Sequence, residues 1–265
     1  MKITGLTRIQ FILADPVAQV VATHVLNQRF AQDGLDLASV PLHVTADSLP
    51  TVVDAVRRME NVVGFGVTIP HKIAILPLLD ALTERARHIG SVNAVRRNAD
   101  GSLLGDNLDG QGFVDGMTAA GIVLRGRRVL QFGAGGAGRA VAFAVATAGA
   151  KEIVIHNRSH DKAAALAAEV AAAHPHCMVR ASAELAADLA VAEVIINTTS
   201  VGLRPDDAPL FDYGWLQARQ VVADIIMVPE TTALLAAAQA RGCTLGYGKN
   251  MLASQYALVR ELYEL

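Results

Sequence analysis

Two cysteines, Cys177 and Cys243, are all that this chain carries, too few for a disulfide framework. Long apolar runs are also missing. Although 52% of the residues are hydrophobic, the longest stretch free of Asp, Glu, Lys and Arg is 13 residues, 16–28, against about 20 for a membrane-crossing helix. Nor does one sign of charge dominate. The 23 basic and 25 acidic residues leave a net charge of −2, which argues against a nucleic-acid partner and its usual basic stripe. The first 20 residues show neither the basic start nor the small-residue cleavage site of a secretory leader. With aromatics at only 5%, much of the apolar excess is alanine in amphipathic stretches such as 162–173, which read as helix packing. The expectation is a cytoplasmic protein, monomeric or homodimeric, with small-molecule partners, no nucleic acid and no membrane.

What the chain does have is alternation. β-Branched runs at 9–13, 37–44, 62–67, 128–132, 152–156, 193–197 and 220–225 predict strands. Helical patterns lie between them at 17–30, 49–59, 73–81, 110–120, 136–148 and 159–173, and a last helix is expected at 251–262. Strand and helix in alternation predict an α/β protein with parallel sheets and right-handed crossovers. The 265 residues suffice for two domains of roughly 100–150, and the series restarts near residue 108.

The restart carries a phosphate-binding pattern. Gly133-Ala134-Gly135-Gly136-Ala137-Gly138 matches G-x-G-x-x-G between a predicted strand and a predicted helix. In that context Gly133 suits a tight turn, Gly135 a close approach of backbone to pyrophosphate, and Gly138 helix–strand packing. The helix start then offers free amides and a positive dipole end. A cofactor lacking the 2′-phosphate usually meets Asp or Glu about 20 residues further on. Here the next strand is followed by Asn157-Arg158-Ser159. A guanidinium can grip a 2′-phosphate that a carboxylate would repel, and Lys162 adds a second positive charge. The cofactor expected is NADP, with NAD the alternative.

Two polar clusters precede that domain. Thr68-Ile69-Pro70-His71-Lys72 ends a strand and opens a helix, where Pro70 suits an early position. Asn93 is followed by Gly105-Asp106-Asn107-Leu108-Asp109-Gly110. By themselves Asp106 and Asp109 read as turn and N-cap residues. His174, His176 and Cys177 have metal-ligand chemistry but no partners at metal-site spacing, so no metal is expected. Trp215 reads as a packing residue and Glu230 as solvated.

Taken together, the motifs carry a resemblance. Gly-x-x-Val-Thr-x-Pro-x-Lys at 64–72, Gly-Ser-Val-Asn-Ala at 90–94, Gly-Asp-Asn-Leu-Asp-Gly at 105–110, the glycine loop, Asn-Arg-Ser at 157–159, Asn-Thr-Thr-Ser at 197–200 and Met-Leu-x-x-Gln at 251–255 resemble the shikimate/quinate dehydrogenase family, in family order. The resemblance implies an N-terminal α/β substrate domain, 1–108, completed by the C-terminal helix, 249–265. It implies a Rossmann-type NADP-binding domain at 109–248. The implied reaction is reversible oxidation of a ring hydroxyl to a ketone. Lys72 and Asp109 match the family's catalytic pair, and Thr68, Asn93 and Gln255 match residues that hold substrate hydroxyls. Gly133, Gly135, Gly136, Ala137, Gly138, Asn157, Arg158, Ser159, Lys162, Thr198 and Gly248 are the expected cofactor set.

Departures from the family pattern fall on the substrate side. Val20 and Ala22 stand where a Ser-x-Ser pair holds the substrate carboxylate. Gly66 replaces an Asn, Leu108 a Thr, and Met227 a substrate-binding Tyr. Gln19 and Thr23 are the nearby polar substitutes. The expected reaction is oxidation of shikimate to 3-dehydroshikimate, or of a related substrate that is less polar or differently placed. Alternatives are a quinate or other cyclic-polyol dehydrogenase using NAD, and a non-catalytic NADP-binding sensor.

Overall fold

The computed structural model describes residues 2–18 and 20–265; Gln19 lies outside the described residues. The chain forms two compact units, residues 1–108 with 255–265, and residues 109–254.

In the first unit the strands are β1 (Arg8–Ala14), β2 (Leu37–His43), β3 (Val62–Val67), β4 (Ala81–Leu82), β5 (Ala94–Arg97) and β6 (Leu103–Asp106). They form one sheet in the order β2-β1-β3-β5-β6-β4. β1 runs parallel to β2 and β3, whereas β5 is antiparallel to both β3 and β6. Alternate residues of β1 serve opposite faces, as a strand's period of two requires. Leu13 joins Val53, Val56, Phe65 and Val95 in one buried cluster, with Ile9 and Phe11 packed against it. Ile12 joins Leu26, Phe30 and Leu37 in another.

The helices of this unit follow local chemistry. α1 (Ala22–Gln32) buries Leu26 and Phe30, one turn apart, and ends at Gly34 with φ +69°, the left-handed geometry that glycine adopts at no steric cost. It begins five residues later than the expected 17–30. Val20 instead closes a turn by donating its amide to the Val17 carbonyl at 3.0 Å. α2 (Leu49–Arg57) buries Leu49, Val53 and Val56. The helix expected over 73–81 is not formed. α3 covers only His71–Ala74 and passes into a 3-10 turn, Leu76–Leu78, because Pro77 has no N–H for the helical ladder. α4 (Glu84–Ile89) starts on Thr83, whose hydroxyl accepts the Ala86 amide at 3.2 Å.

The second unit contains β7 (Arg128–Phe132), β8 (Glu152–His156), β9 (Met178–Ala181), β10 (Val194–Asn197), β11 (Val221–Asp224) and β12 (Thr244–Gly246). The order is β12-β11-β10-β7-β8-β9, every pair parallel. This is the doubly wound Rossmann arrangement, whose order reverses between β7 and β10. Strands covered on both faces read as continuous apolar runs, and Val194, Ile195 and Ile196 are each fully buried. Its helices are α5 (Asp109–Ala119), α6 (Gly136–Thr147), α7 (His160–Ala173), α8 (Leu185–Val191) and α9 (Ala233–Ala240). A Cβ on Gly110 would lie 2.2 Å from the Ala140 carbonyl oxygen, so α5 packs directly on the α6 backbone. The last helix, α10 (Gly248–Tyr263), starts earlier than expected, and the division between the units falls within it.

Among the described residues no helix is long and apolar enough to cross a membrane, and no group of three or more His, Cys, Asp or Glu could hold a metal ion. His176 instead donates from Nε2 to the Ala146 carbonyl at 3.1 Å, its ring edge-on to His174. Trp215, expected to pack, is 46% exposed on a 3-10 turn (Tyr213–Trp215).

Candidate functional site

In open α/β sheets ligands sit beyond the carboxyl ends of the strands at the point where strand order reverses. In the second unit that point lies between β7 and β10, and the glycine loop follows β7. Gly133 has φ +108° and takes its place against Thr198: a Cβ there would meet Thr198 Oγ1 at 2.6 Å. Thr198 closes the same corner by donating from Oγ1 to the Phe132 carbonyl at 2.7 Å. A Cβ on Gly138 would come within 2.5 Å of the Gly133 carbonyl oxygen. Beneath the loop, buried Gln131 donates from Nε2 to the carbonyls of Gly133 and Gly138 at 2.9 and 2.8 Å.

Gly135 differs from its neighbours. It is the extended N-cap residue of α6, and a Cβ built on it meets nothing within 4 Å. The loop therefore presents open space at the start of α6, where Gly136 and Ala137 contribute the first-turn amides. Glycine is dictated by packing at 133 and 138, whereas no protein atom dictates it at 135. Gly133→Ala should accordingly cost about 1–3 kcal/mol of stability, and Gly135→Ala much less. Thermal unfolding of the two variants checks this ordering.

β8 ends beside the loop. Asn157 accepts the Ala134 amide on Oδ1 at 3.3 Å and donates from Nδ2 to the Ser159 carbonyl at 3.0 Å. Arg158, Ser159 and Lys162 are exposed, and among the described residues neither cation makes an ion pair. Asp161, in the first turn of α7, is the nearest carboxylate in sequence.

At the ends of β10 and β11, Asn197 and Asp224 face each other in register. Asp224 is 1% exposed and accepts from Asn197 Nδ2 at 3.1 Å, Thr232 Oγ1 at 2.8 Å and the Ile226 amide at 3.0 Å. Burial outweighs these donors and holds its carboxyl above the usual carboxylate range. The contacts fix the segment leading to half-buried Met227. Gly248 is also forced, since a Cβ there would lie 2.5 Å from the Ile226 carbonyl oxygen. Glu230 is exposed and pairs with Lys249 at 2.6 Å.

The first unit gathers the other expected residues. Thr68 donates its amide to the Leu13 carbonyl at 3.0 Å and accepts the His71 amide at 2.9 Å, tying the end of β3 to β1 and to α3. His71 is fully buried, with Nε2 2.6 Å from the Val44 carbonyl oxygen. A carbonyl only accepts, so Nε2 carries the proton there. Lys72 is half-buried, and its carbonyl accepts the Val92 amide at 2.8 Å. Asn93 donates its amide to the Asp106 carbonyl at 3.0 Å, accepts the Val67 amide on its own carbonyl at 2.8 Å and accepts the Leu108 amide on Oδ1 at 2.7 Å. Thr68, Lys72 and Asn93 thus lie on adjoining segments. Asp109, which is buried, follows Leu108 by one peptide bond and opens α5 in the second unit.

Gln255 is half-buried on α10, beside Tyr256, whose ring centroid lies 6.0 Å from that of Phe30. Val20 and Ala22 pack against the cluster of Ile12, Leu26, Phe30 and Leu37. Neither side chain carries a hydrogen-bonding group. Leu108 is buried with Ala94, Val259, Leu262 and Tyr263. Thr23 is half-buried on α1.

Several supporting residues escape a reading of sequence alone. Gln131 and Asp224 sit in strands that read as continuously apolar. Arg85 and Thr83, which clamp Asp106, belong to a helix that no predicted pattern covered. Their usable signal is polarity inside a buried segment, and it becomes visible only once burial is known.

With this geometry in place, comparison with known proteins is direct. A family model described as Shikimate dehydrogenase substrate binding domain matches residues 12–95, and one described as Shikimate / quinate 5-dehydrogenase matches residues 118–203. A shikimate dehydrogenase (NADP(+)) of Alkaliphilus metalliredigens (strain QYMF) is 36% identical over 268 residues, which cover 99% of this chain and 93% of that protein. Among solved structures, the ligand-free 5-ketofructose reductase of Gluconobacter sp. strain CHM43 superposes with a TM-score of 0.85 at 34% identity, covering 97% of this chain and 92% of that one. Shikimate 5-dehydrogenase from Thermus thermophilus, in complex with NADP(H) and shikimate, gives 0.88 at 32% identity, covering 97% and 93%. The chain belongs to the shikimate/quinate dehydrogenase family of oxidoreductases.

Proposed function

We propose that this protein is an NADP-dependent dehydrogenase that interconverts a hydroxyl and a ketone on an uncharged polyhydroxyl substrate, and that shikimate is a poor substrate for it. The observation that carries the substrate reading is the environment of Val20 and Ala22, which join an apolar cluster at the positions of the family's carboxylate-holding serines. Thr68, Lys72 and Asn93 keep their polar chemistry. A relative named for 5-ketofructose, a compound without a carboxylate, supports the same direction. Substrate residues are assigned to 1–108 and the C-terminal helix, and cofactor residues to 109–248.

The cofactor set fits the residues present. The open space at Gly135 suits a pyrophosphate at the α6 N-terminus, where Gly133, Gly136, Ala137 and Gly138 complete the cradle. Arg158 and Lys162 would meet a 2′-phosphate, with Asn157 and Ser159 shaping the approach, and Thr198 and Gly248 complete the set. When bound, NADP supplies the hydride acceptor and its reduced form the donor. Lys72 and Asp109 then handle the proton, taking it from the hydroxyl in oxidation and returning it in reduction. The ammonium also stabilises negative charge developing on the substrate oxygen. Thr68, Asn93 and Gln255 hold neighbouring hydroxyls, and Met227 offers an apolar wall. A cytoplasmic monomer or homodimer completes the reading.

The cofactor assignment has a direct test. Arg158→Asp removes a charge-assisted contact of about 1.5–3 kcal/mol and adds repulsion. The expected result is a fall of at least tenfold in kcat/KM for NADP, with NAD unchanged or improved. Equal effects on both cofactors would remove Arg158 from the site.

A further inference from the structure

The chain reaches Asp109 through three residues, Asp106, Asn107 and Leu108, each held by hydrogen bonds. Asp106 is 3% exposed. Its Oδ1 accepts from Thr83 Oγ1 at 2.6 Å, Arg85 Nε at 3.0 Å and the Asn107 amide at 2.7 Å, and its Oδ2 accepts from Arg85 Nη2. Both prongs of one guanidinium therefore grip one carboxylate, the most direction-specific pairing available to these groups. The Asp106 carbonyl accepts the Asn93 amide at 3.0 Å. Asn107 donates from Nδ2 to the Ser91 carbonyl at 3.1 Å and to Ser91 Oγ at 2.9 Å, and the Leu108 amide closes on Asn93 Oδ1 at 2.7 Å.

Asp106 is buried but the Arg85 side chain is 38% exposed, so solvent screens the pair and it contributes only modestly to stability. What such a pair does supply is direction. This one fixes Asn93 through the Asp106 backbone, and it fixes the approach to Asp109 through the Asn107 amide. The geometry points to Arg85 and Asp106, with Thr83, as a positioning device that holds Asn93 and Asp109 in their working orientations. None of the three is assigned to substrate or cofactor. The inference rests on the proposed roles of Asn93 and Asp109.

The test compares Arg85→Met, Arg85→Lys and Asp109→Asn with the parent protein. Turnover is read on whichever of shikimate and 5-ketofructose the parent uses faster. NADP affinity is read by fluorescence, and backbone amide exchange over residues 103–113 and 131–139 by mass spectrometry. Small displacements of reacting groups cost up to about a hundredfold in rate. Arg85→Met should therefore lower kcat by roughly 10- to 100-fold with NADP affinity unchanged. Exchange should accelerate over 103–113 and stay as in the parent over 131–139. Arg85→Lys should recover only part of kcat, because an ammonium cannot bridge both oxygens; it also provides the test if Arg85→Met does not fold. A lower unfolding temperature with kcat intact in the Arg85 variants, while Asp109→Asn loses turnover, would make the pair purely structural and overturn the inference alone. Full turnover in Asp109→Asn would overturn the proposed chemistry as well.

Discussion

Replacing Lys72 by methionine should reduce turnover by about three orders of magnitude while NADP affinity stays within a factor of about two. A positioned acid/base group contributes about 10²–10⁴ in rate, and under the proposed mechanism the ammonium form of Lys72 would also offset charge on the substrate oxygen. Methionine keeps the length and the half-buried stem but can neither donate nor accept the proton. Lys72 belongs to α3 in the first unit, whereas the glycine loop belongs to the second, so cofactor affinity gives an internal control. Asp109→Asn should behave similarly in turnover. Steady-state kinetics beside a fluorescence titration of NADP reads both effects. A protein that only sensed NADP would have no turnover to lose, and one whose chemistry lay elsewhere would tolerate the change.

The second large effect concerns the substrate. Two hydrogen bonds to a charged group contribute about 1.5–3 kcal/mol each, so losing both weakens recognition of a carboxylate by roughly two to four orders of magnitude. Val20→Ser with Ala22→Ser should return part of that, raising kcat/KM for shikimate by at least tenfold. The cost is packing, since both side chains lie against the apolar cluster of Ile12, Leu26, Phe30 and Leu37. A modest fall in unfolding temperature is expected, in line with removing a few methyl groups from a half-buried position. An unchanged shikimate rate in a folded double variant would mean that a carboxylate is held by other residues, or that these two positions do not meet the substrate.

The fold was most legible where local chemistry and tertiary demand agree. β7, the glycine loop and α6 can be bounded from sequence because an apolar run, a forced glycine turn and an alanine-rich helix follow one another without interruption. The β5–β6 hairpin was hidden. Its strands are only four residues each, and Arg96 and Arg97 interrupt the apolar pattern. The short α3 shows a different failure, in which one proline overrode a helical pattern that otherwise continued.

The candidate site divides in the same way. The glycines at 133 and 138 are necessary for reasons that sequence pattern and packing share. Lys72 and Asp109, by contrast, gain meaning only from family order, because a lysine near a helix start and an aspartate at a helix start are ordinary residues. The clamp on Asp106 joins residues 21 and 23 positions apart, on elements whose adjacency only the folded sheet reveals. Val20 and Ala22 are informative in the opposite sense: nothing in their own chemistry marks them, and their interest lies in what they replace.

The most direct test of the proposed specificity is a comparison of kcat/KM for NADPH-dependent reduction of 5-ketofructose and of 3-dehydroshikimate by the unmodified protein. The uncharged ketone should be reduced at least roughly a hundredfold more efficiently, the lower end of what two missing contacts to a carboxylate imply. Efficient reduction of 3-dehydroshikimate, with little or none of 5-ketofructose, would contradict the proposal.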